Sequence, residues 1–363
     1  MSQDLLLKLV QDKLNEFCEL KRFELREISE ELEPIIDFTQ SLLSGGKRFR
    51  ALFCFAAHQG YSQHSEELTL ESPIVSISAA LEMFHAAALV HDDLLDQSDT
   101  RRGQPAIHKR FESLHSDKGF AGSAERFGVA GSVLVGDMML SWSSELFGEA
   151  LLKASDPKTE AACRVEFGKM RFEVMAGQYL DVLEENAAPL RQRSEAVARA
   201  NRVMLYKTAK YSLEAPLLIG AAFGGATNSQ LAGLSGFGIP LGLAFQLRDD
   251  ILGVFGDPAI TGKPAGDDLR EGKRTVLTGL TLESLPTSVA SIFEELLVSG
   301  DIDQEQLEFM RSSITESGAL TKTERMIADY SDQAIQALSV LEISEPSREM
   351  LAKLTDAVIN RSK

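Results

Sequence analysis

The chain has 363 residues, a formal net charge of -17 and a hydrophobic content of 44%. This apolar share can build a large core, which excludes a wholly disordered chain, and the acidic balance argues against a nucleic-acid partner without excluding a local basic pocket. The three cysteines, Cys18, Cys54 and Cys163, show no metal-ligand spacing and favour a reduced, cytoplasmic setting.

The N-terminal segment MSQDLLLKLVQDKLNEF differs from a signal peptide because it lacks a basic start and its apolar residues recur with helical spacing. No uninterrupted apolar run is expected to be long enough to span a bilayer, since stretches such as APLLIGAAFGGA are short. The sequence therefore predicts no integral membrane segment.

Helical periodicity dominates the rest of the chain, and a long helix is predicted from about Pro73, with the proline in its first turn. Alternating strand patterns are hard to find. Residues 112–127 and 257–268 are predicted to be surface loops between helices. No linker rich in Ser, Gly or Pro divides the chain, so we expect one all-α domain over residues 1–363.

The stretch HDDLLDQSDTRRGQP begins at His91 and places three carboxylates just after an apolar run. Four residues along a helix return to nearly the same face, so Asp92 and Asp96 are predicted to point the same way. Carboxylates held in this way repel each other unless a cation lies between them, and oxygen ligands suit Mg²⁺. A solvated acidic helix end is an equally open interpretation of this stretch alone.

A second acidic pair, Asp249 and Asp250, closes the apolar stretch LGLAFQLRDDILGVF. The position four residues after Asp249 is Gly253, so this motif offers fewer carboxylates than the first. An ordinary salt bridge with Arg248 or Arg270 is an open structural alternative for this pair.

Basic residues supply the opposite charge. The stretch GGKRFR is predicted to place Lys47 and Arg50 on one helix face after a Gly-Gly turn, where the N–H groups of a helix start attract anions. From these six residues alone, a solvated basic turn is the better interpretation.

Weaker candidates are scattered along the chain, and TGKPAGDDLREGKRT has the Gly and Pro content of a mobile lid. The polar side chains concerned are His85, Arg101, Arg102, Lys207, Thr208, Gln246, Lys263 and Lys273. Each of them also has an ordinary explanation, as a salt-bridge partner or as a polar group in helix packing.

Metal-binding acids combined with anion-binding bases indicate a polyphosphate ligand, which proteins hold through bridging Mg²⁺ and direct Lys or Arg contacts. The sequence contains no GxxxxGK[ST], HExxH or GxSxG motif. This argues against a P-loop nucleotide site, a zinc hydrolase and a serine esterase.

Taken together, these motifs resemble those of the trans-type isoprenyl diphosphate synthases, the polyprenyl synthetase family. The resemblance runs in order through GGKRFR, HDDLLDQSDTRRGQPAIH, VLVGDMML, AGQYLDV, YKTAKYS, FQLRDDILGVFGDPAITGK and EGKRT, from about residue 45 to about residue 275. It implies a single large bundle of antiparallel helices around a deep central cleft, with both aspartate motifs at the mouth of the cleft. It also implies a homodimer.

The resemblance assigns roles to the matching residues. It implies that up to three Mg²⁺ ions are held by Asp92, Asp93, Asp96, Asp249 and Asp250. It implies that the allylic diphosphate is contacted by Arg101, Lys207, Thr208, Gln246, Lys263 and Lys273. It implies that isopentenyl diphosphate is held by Lys47, Arg50, His85 and Arg102. The residues expected to be catalytic are Asp92, Asp96, Arg101, Lys207 and Asp249.

The activity that the resemblance implies is prenyl transfer. The allylic C–O bond of dimethylallyl, geranyl or farnesyl diphosphate breaks, isopentenyl diphosphate attacks the carbocation, and a proton is lost. One departure is Gly253, which stands where many members have a third Asp. We expect weaker metal binding at that end and no loss of function.

Product length is predicted from the residues that precede the first aspartate motif. If Asp92 lies at the cleft mouth, the small side chains of Ala87 and Ala88 leave the pocket for the growing chain open, and Phe84 lies one turn deeper. The expected product is geranylgeranyl diphosphate. Longer polyprenyl products, and a mere packing role for the two alanines, stay open.

Two other functions fit parts of the sequence. A class I terpene cyclase shares the metal–diphosphate chemistry, but cyclases usually lack the second basic patch that Lys47 and Arg50 would form. The intact motifs argue against a non-catalytic helical subunit of a heteromeric synthase and against a plain acidic binding module.

Overall fold

The structure is a computed structural model, and it describes residues 3–62, 67–154, 156–257, 266–300 and 302–359. Nearly all of these residues are helical, and the only strands among them form one short hairpin, which confirms the predicted all-α fold. Internal contacts divide the chain into an N-terminal unit (residues 1–163 and 220–225) and a C-terminal unit (residues 164–219 and 226–363). The single functional domain stays a prediction.

The N-terminal unit begins with six helices and the hairpin. The helices are α1 (Gln3–Ile28), α2 (Glu33–Leu43), α3 (Phe49–Tyr61), α4 (Pro73–Leu95), α5 (Ile107–Lys118) and α6 (Ala124–Leu151). Between α4 and α5, strand β1 (Thr100–Arg101) pairs antiparallel with β2 (Gln104–Pro105). The long helix α7 (Pro157–Ala187) begins in this unit and ends in the C-terminal unit.

Helix α4 forms the centre of the N-terminal unit, where it packs against α6, α3, α1 and α2. It starts as predicted, with Pro73 in its first turn. Its sequence is apolar on most sides because most sides are buried. Ser143 Oγ of α6 donates a 2.7 Å hydrogen bond to the carbonyl oxygen of Ala80. Gly136 of α6 leaves space for His91, because a Cβ there would lie 2.2 Å from His91 Nε2.

The C-terminal unit follows the same all-helical plan. After α7 come α8 (Ala196–Val203), a π-helical segment (Met204–Glu214), α9 (Ala215–Phe223), α10 (Asn228–Phe255), α11 (Asp267–Arg270), α12 (Val276–Ser284), α13 (Thr287–Ser299), α14 (Gln304–Glu316), α15 (Ala319–Val340) and α16 (Glu345–Ile359). Helix α10 packs against the π-helical segment, α15 and α16. Its Leu247, Ile251 and Val254 share one apolar core with Phe293 and Met310.

Residues 112–127, predicted to be a surface loop, are mostly helical, because α5 and α6 extend into this stretch from both sides. Helix α5 buries Ile107, Phe111 and His115, which are four residues apart. Polar residues separate these positions, so the helical spacing was not recognised in the sequence. The prediction was therefore wrong for most of the stretch.

The predicted loop over residues 257–268 lies mostly outside the described residues. Its described C-terminal end begins the short helix α11. Gly266 precedes this helix with φ of 77°, a conformation that glycine adopts readily.

Two helices, α4 and α10, are long and apolar enough to cross a membrane by length and composition. Polar residues interrupt both helices, among them Glu82 in α4 and Ser235 in α10, so neither contains an uninterrupted apolar run of that length. In the relevant 18-residue windows, 72% of the α4 residues and 39% of the α10 residues are buried inside the protein. A core helix shows the same composition when it is buried on several sides. The absence of a membrane-spanning segment therefore stays a prediction.

The three cysteines are buried, and none of them forms a disulfide bond. Burial raises the pKa of Cys18 to about 12 and also raises the pKa of Cys54. These two thiols are protonated at neutral pH and are poor nucleophiles and metal ligands.

Candidate active site

The TRRG stretch forms the tight hairpin between β1 and β2. Its central residues, Arg102 and Gly103, have φ of 53° and 73°, as a type I′ turn requires. A left-handed conformation costs a residue with a side chain about 1 kcal/mol or more, so the surrounding contacts must hold Arg102 in place. The turn thereby fixes the positions of both Arg101 and Arg102.

Arg101 lies against the first aspartate motif. Its Nε donates a 2.7 Å hydrogen bond to Asp93 Oδ1, and its Nη2 lies 3.5 Å from Asp92 Oδ2. Burial alone would lower the pKa of Arg101, but the hydrogen bond with Asp93 and the charges of Asp93, Asp92 and Asp96 raise it. One guanidinium group therefore offsets part of the repulsion among three carboxylates.

The carboxylates of this motif differ in accessibility. Asp92 and Asp93 lie in the last turn of α4, and Asp96 follows the helix as its C-cap. The side chain of Asp93 is 3% exposed, whereas that of Asp92 is 22% exposed, and Asp96 is also half-buried. In this arrangement Asp93 holds Arg101, while Asp92 and Asp96 are the carboxylates that a ligand can reach.

Arg102 occupies the Gly-Gly turn that precedes α3. A Cβ at Gly46 would lie 2.8 Å from Arg102 Nη2, and a Cβ at Gly45 would lie 3.5 Å from Arg102 Nη1. Gly46 also has φ of 105°, which glycine tolerates. Arg102 Nη1 donates a 3.3 Å hydrogen bond to the carbonyl oxygen of Leu42. The motifs GGKRFR and TRRG, far apart in the sequence, therefore form one local structure.

The expectation that Lys47 and Arg50 share a helix face is wrong. Helix α3 begins at Phe49, so Lys47 lies before the helix and is exposed. The helix starts late because Arg48, its N-cap, has φ of 54°. The side chain of Arg48 is buried, and its Nη1 donates a 3.4 Å hydrogen bond to Glu82 Oε2.

The contact between Arg48 and Glu82 was not predicted from the sequence. Glu82 is 4% exposed on α4, and its Oε1 also accepts a 3.2 Å hydrogen bond from the N–H of Ala51 in the first turn of α3. A single acid inside the apolar run AALEMF was the available signal, since a buried carboxylate needs a partner. The contact anchors the turn that carries Lys47 and Arg50.

Two of the residues predicted to hold isopentenyl diphosphate, Arg50 and Arg102, act electrostatically on a third, His85. Burial lowers the pKa of His85 well below its usual value, and the charges of Arg50, Arg102, Arg101 and Arg48 lower it further. Burial and the charge of Arg48 likewise lower the pKa of Arg102. The positive charges of four arginines therefore act together on His85, and this concentration of charge favours an anion beside it.

In the C-terminal unit, Lys207 and Thr208 lie on the π-helical segment, a form that is frequent at functional sites. Glycines let neighbouring helices approach its backbone closely. A Cβ at Gly177 of α7 would lie 2.4 Å from Lys207 N, and a Cβ at Gly242 of α10 would lie 2.5 Å from Ala209 Cα. Both helices are therefore held in a fixed position beside Lys207.

One helical turn after each of these glycines lies a side chain that makes a polar contact, Asp181 after Gly177 and Gln246 after Gly242. Lys207 Nζ donates a hydrogen bond to Asp181 of α7. Gln246 Nε2 of α10 donates a 2.8 Å hydrogen bond to Asp250 Oδ1. Asp181 lies in the quoted motif AGQYLDV, but no role for it was predicted. It orients the ammonium group of Lys207.

The second aspartate motif carries a buried carboxyl group. Asp250 is 4% exposed, and burial raises its pKa to about 8, with the charges of Asp268 and Asp249 acting in the same direction. The hydrogen bond from Gln246 and the charge of Lys273 oppose this shift. A metal cation here would favour the ionised carboxylate.

Gly253, the departure from the family pattern, leaves room for another carboxylate. A Cβ at Gly253 would lie 1.9 Å from Asp268 Oδ2. Lys273 Nζ lies 3.6 Å from Asp268 Oδ1 and 2.6 Å from Glu271 Oε2. The carboxylate of Asp268 thus lies beside Gly253, where many family members have a third Asp. This contact was not predicted from the sequence.

No three His, Cys, Asp or Glu side chains in the described part of the chain form a ready-made metal site. Mg²⁺ bound with phosphate groups usually takes one or two carboxylates and fills its other positions with water and phosphate oxygens. The accessible Asp92 and Asp96 supply oxygen donors and negative charge in the first motif, and Asp250 would supply both in the second once it loses its proton. The side chains of each motif therefore fit Mg²⁺ that binds together with its substrate.

The remaining predicted site residues are placed as follows. Phe84 and Ala87 on α4 are 1% and 0% exposed, and Ala88 is half-buried. Ala87 is thus buried, as the packing alternative for the two alanines requires, whereas part of Ala88 is accessible. The role of all three residues in product length stays a prediction. Lys263 lies outside the described residues.

The family model described as Polyprenyl synthetase matches residues 33–313. The chain belongs to the polyprenyl synthetase family. The resemblance stated from the motifs is therefore confirmed, and this polyprenyl synthetase is a transferase of the trans-prenyltransferase class.

Relatives of this polyprenyl synthetase span several product lengths. A crystal structure of geranylgeranyl pyrophosphate synthase from Corynebacterium glutamicum, complexed with isoprenyl diphosphate and magnesium, is 34% identical, with a TM-score of 0.92 over 99% of this chain and 100% of that one. The short chain isoprenyl diphosphate synthase of Methanothermobacter thermautotrophicus is 27% identical over 97% of this chain and 98% of its own. The octaprenyl diphosphate synthase of Escherichia coli is 30% identical over 88% of this chain and 87% of its own. Family membership therefore leaves the product of this chain open.

Proposed function

We propose that this polyprenyl synthetase condenses isopentenyl diphosphate with allylic diphosphates, with the help of Mg²⁺, and releases diphosphate. The observation that carries the proposal is the hairpin, which places Arg101 on the first aspartate motif and Arg102 in the glycine turn. The charges of Arg50 and Arg102 both act on His85. Within the N-terminal unit, an acidic cluster suited to metal therefore adjoins a basic cluster suited to an anion.

The first half of the reaction is ionisation of the allylic substrate. We expect up to three Mg²⁺ ions to be held by Asp92, Asp93, Asp96, Asp249 and Asp250. Bound Mg²⁺ supplies positive charge that stabilises the departing diphosphate. The side chains expected to contact the same diphosphate are Arg101, Lys207, Thr208, Gln246, Lys263 and Lys273. Asp181 keeps the ammonium group of Lys207 in place before charge develops, which is the condition for effective electrostatic stabilisation.

The second half is attack by the alkene of isopentenyl diphosphate. We expect Lys47, Arg50, His85 and Arg102 to hold its diphosphate. His85 is neutral because burial and the nearby arginines lower its pKa, so it can donate a hydrogen bond without adding charge. The proton released after attack goes to the departing diphosphate, since none of the residues assigned to the site stands out as a general base. Water must be excluded because it would quench the carbocation.

The proposed product is geranylgeranyl diphosphate. Partial exposure of Ala88 on α4, one turn before Asp92, supports an open pocket at that point. Replacing Ala88→Phe should shift the product distribution to shorter chains, measured by chromatography of the dephosphorylated products. The matched control is Leu89→Phe, which places the same ring on a different side of α4. An unchanged distribution in Ala88→Phe would remove this residue from the assignment.

We also propose a cytoplasmic homodimer. In the N-terminal unit, α6 exposes Val129 and Leu134, at 41% and 56%. In the C-terminal unit, α7 exposes Phe172, Met175 and Tyr179, at 73%, 52% and 67%, with the spacing of one helix face. Exposed apolar faces of this kind mark interaction surfaces. Phe172→Lys should yield monomers in analytical ultracentrifugation, whereas a charge reversal at an exposed polar position of α7, Lys158→Glu, should not.

One assay tests the activity itself. Purified protein is incubated with Mg²⁺, labelled isopentenyl diphosphate and, in turn, dimethylallyl, geranyl or farnesyl diphosphate. We expect label to be incorporated with at least one of these primers. The chain length of the product is measured in the same samples. Products longer than geranylgeranyl would support the longer-chain alternative. Incorporation only after addition of another polypeptide would overturn the proposal in favour of a non-catalytic subunit.

A further inference from the structure

A cavity in the C-terminal unit is lined by four arginines and two glutamates. It lies where the end of α7, the following connection, α8, the start of α12 and α13 come together, and its volume is about 360 Å³ with its open mouth included. The charged residues that line it are Arg191, Arg193, Arg199, Arg274, Glu184 and Glu294. None of the residues proposed to bind the substrates or Mg²⁺ lines this cavity.

The two glutamates are already engaged by three of the arginines. Glu184 accepts hydrogen bonds from Arg191 and, at 2.7 Å, from Arg199 Nε. Glu294 Oε2 accepts hydrogen bonds from Arg193 Nε and Nη2, at 3.0 Å and 2.7 Å. The carboxylates of both lining glutamates therefore already accept hydrogen bonds from three guanidinium groups.

Arg274, the fourth arginine, is different. Its Nε, Nη1 and Nη2 are all buried and make no hydrogen bond with any part of the chain that the structure describes. Burial lowers the pKa of Arg274, although Glu294, Glu184 and Glu185 oppose this shift through their charge. A guanidinium group carries five N–H donors and stays charged in proteins. Leaving such a group buried without an acceptor is costly.

Acids beside the cavity are taken up by the other arginines. Arg199, which donates to Glu184, also pairs with Glu195 at 3.3 Å, whereas the donors of Arg274 have no acceptor among the described residues. A compact anion with several oxygen acceptors would satisfy these donors. Phosphate groups match guanidinium donors in geometry and charge.

We propose that this arginine cavity binds a multivalent oxyanion of the phosphate type, either inorganic phosphate or diphosphate. Arg274 is its central donor, and Arg191 and Arg199 lie at its edge. The site goes beyond the proposed prenyl transfer and does not depend on it. Arg274 follows Lys273 directly in the chain, so an occupied cavity also fixes the backbone next to a proposed substrate contact.

The test uses the full chain in buffer with a chelator and no divalent metal. Phosphate and diphosphate are titrated separately by isothermal calorimetry, and the same ions are tested for a rise in melting temperature. We expect one ion to bind in the cavity, besides any ion held by the basic cluster around His85, and Arg274→Gln to weaken the cavity binding about ten-fold or more. The two titrations show which of the two ions the cavity prefers.

Matched variants separate this site from other basic regions. Arg325→Gln changes an exposed arginine of α15 in the same unit and should bind the ion like the unmodified protein. Lys47→Gln combined with Arg50→Gln removes proposed contacts of isopentenyl diphosphate, so an ion that this variant still binds, and that it no longer binds after Arg274→Gln is added, is the ion in the cavity. Arg191→Gln, at a more exposed lining position, should weaken binding while the fold is kept.

Stability without the ion gives a second readout. Arg274→Gln removes a buried charge that lacks an acceptor, so its melting temperature in ion-free buffer should be equal to or above that of the unmodified protein. A large drop would show that Arg274 has partners within the chain and would overturn the inference. Absence of binding by the unmodified protein at millimolar concentrations of either ion, or equal binding by Arg274→Gln, would overturn it as well.

Discussion

The two aspartate-rich motifs compensate their negative charge in different ways. In the first, Arg101 donates to Asp93 and lies beside Asp92, so a fixed cation is part of the motif. In the second, burial and two further carboxylates raise the pKa of Asp250 to about 8, so a proton takes the place of a fixed cation. Similar sequences, DDLLD and DDILG, therefore respond differently to pH and to metal.

The largest expected effect comes from the first motif. Asp92→Ala should lower turnover by about a hundred-fold or more, because it removes an accessible metal ligand that acts when the diphosphate departs. Steady-state incorporation of labelled isopentenyl diphosphate measures the effect, and circular dichroism checks the fold. Asp117→Ala, at an exposed position of α5, is the control. Near-normal turnover of Asp92→Ala would contradict the metal role.

The second motif should give the protein a pH-dependent stability in the absence of metal. The folded-state pKa of Asp250, about 8, lies above the usual value for Asp of about 3.9. Between these values the folded protein keeps a proton that the unfolded chain has lost. The free energy of unfolding should therefore fall as the pH rises from about 4 to about 8, by at most about 1.4 kcal/mol per pH unit.

Asp250→Asn should remove most of this slope, and Mg²⁺ should reduce it in the unmodified protein by favouring the ionised carboxylate. Urea unfolding at several pH values, with a chelator or with Mg²⁺, measures both effects. Asp329→Asn, at an exposed position of α15, should keep the slope. If Asp250→Asn also kept it, the proton would have to lie elsewhere.

A smaller effect is expected where the basic cluster joins the first motif. Gly46→Ala should raise the KM for isopentenyl diphosphate about ten-fold, because its Cβ would lie 2.8 Å from Arg102 Nη2 and its φ is 105°. Gly45→Ala is a close control, since its Cβ would lie at an ordinary 3.5 Å from Arg102. Equal KM values for both variants would show that the position of Arg102 does not matter for this substrate.

The smallest expected effect concerns Asp268. Asp268→Asn should lower the pKa of Asp250, since the charge of Asp268 helps to raise it, but it also removes a carboxylate beside the second motif. We expect this loss to outweigh the lower pKa and to raise the Mg²⁺ concentration for half-maximal activity by about two- to five-fold. Asp267→Asn changes the neighbouring residue and should leave the Mg²⁺ requirement unchanged. A lower requirement in Asp268→Asn would mean that this carboxylate opposes metal binding.

The sequence predicts well what depends on local spacing. The start of α4 at Pro73, the all-α fold and the order of the family motifs all follow from periodicity and residue type over short stretches. The loop over residues 112–127 was wrong because polar residues separate the buried positions of α5.

The features that were missed depend on contacts between distant parts of the chain. Arg48 contacts Glu82 of α4 and is the N-cap of α3, so Lys47 lies before the helix and not within it. Asp268 reaches the space above Gly253 through the fold of a later segment. Neither contact depends on residues that are adjacent in the sequence, so neither could be predicted from short stretches of it.

The π-helical segment has a consequence for changes in chain length. Its hydrogen bonds join residues five apart and not four, so it accommodates more residues per turn than ordinary helix does. Loss of one residue within Met204–Glu214, other than Lys207 or Thr208, would remove this surplus and let ordinary helix form while the residues on both sides keep nearly their present orientation. The same loss in an ordinary helix would rotate all side chains beyond it by about 100°, so the fold should tolerate a gap in the π-helical segment better than a gap in α4 or α10.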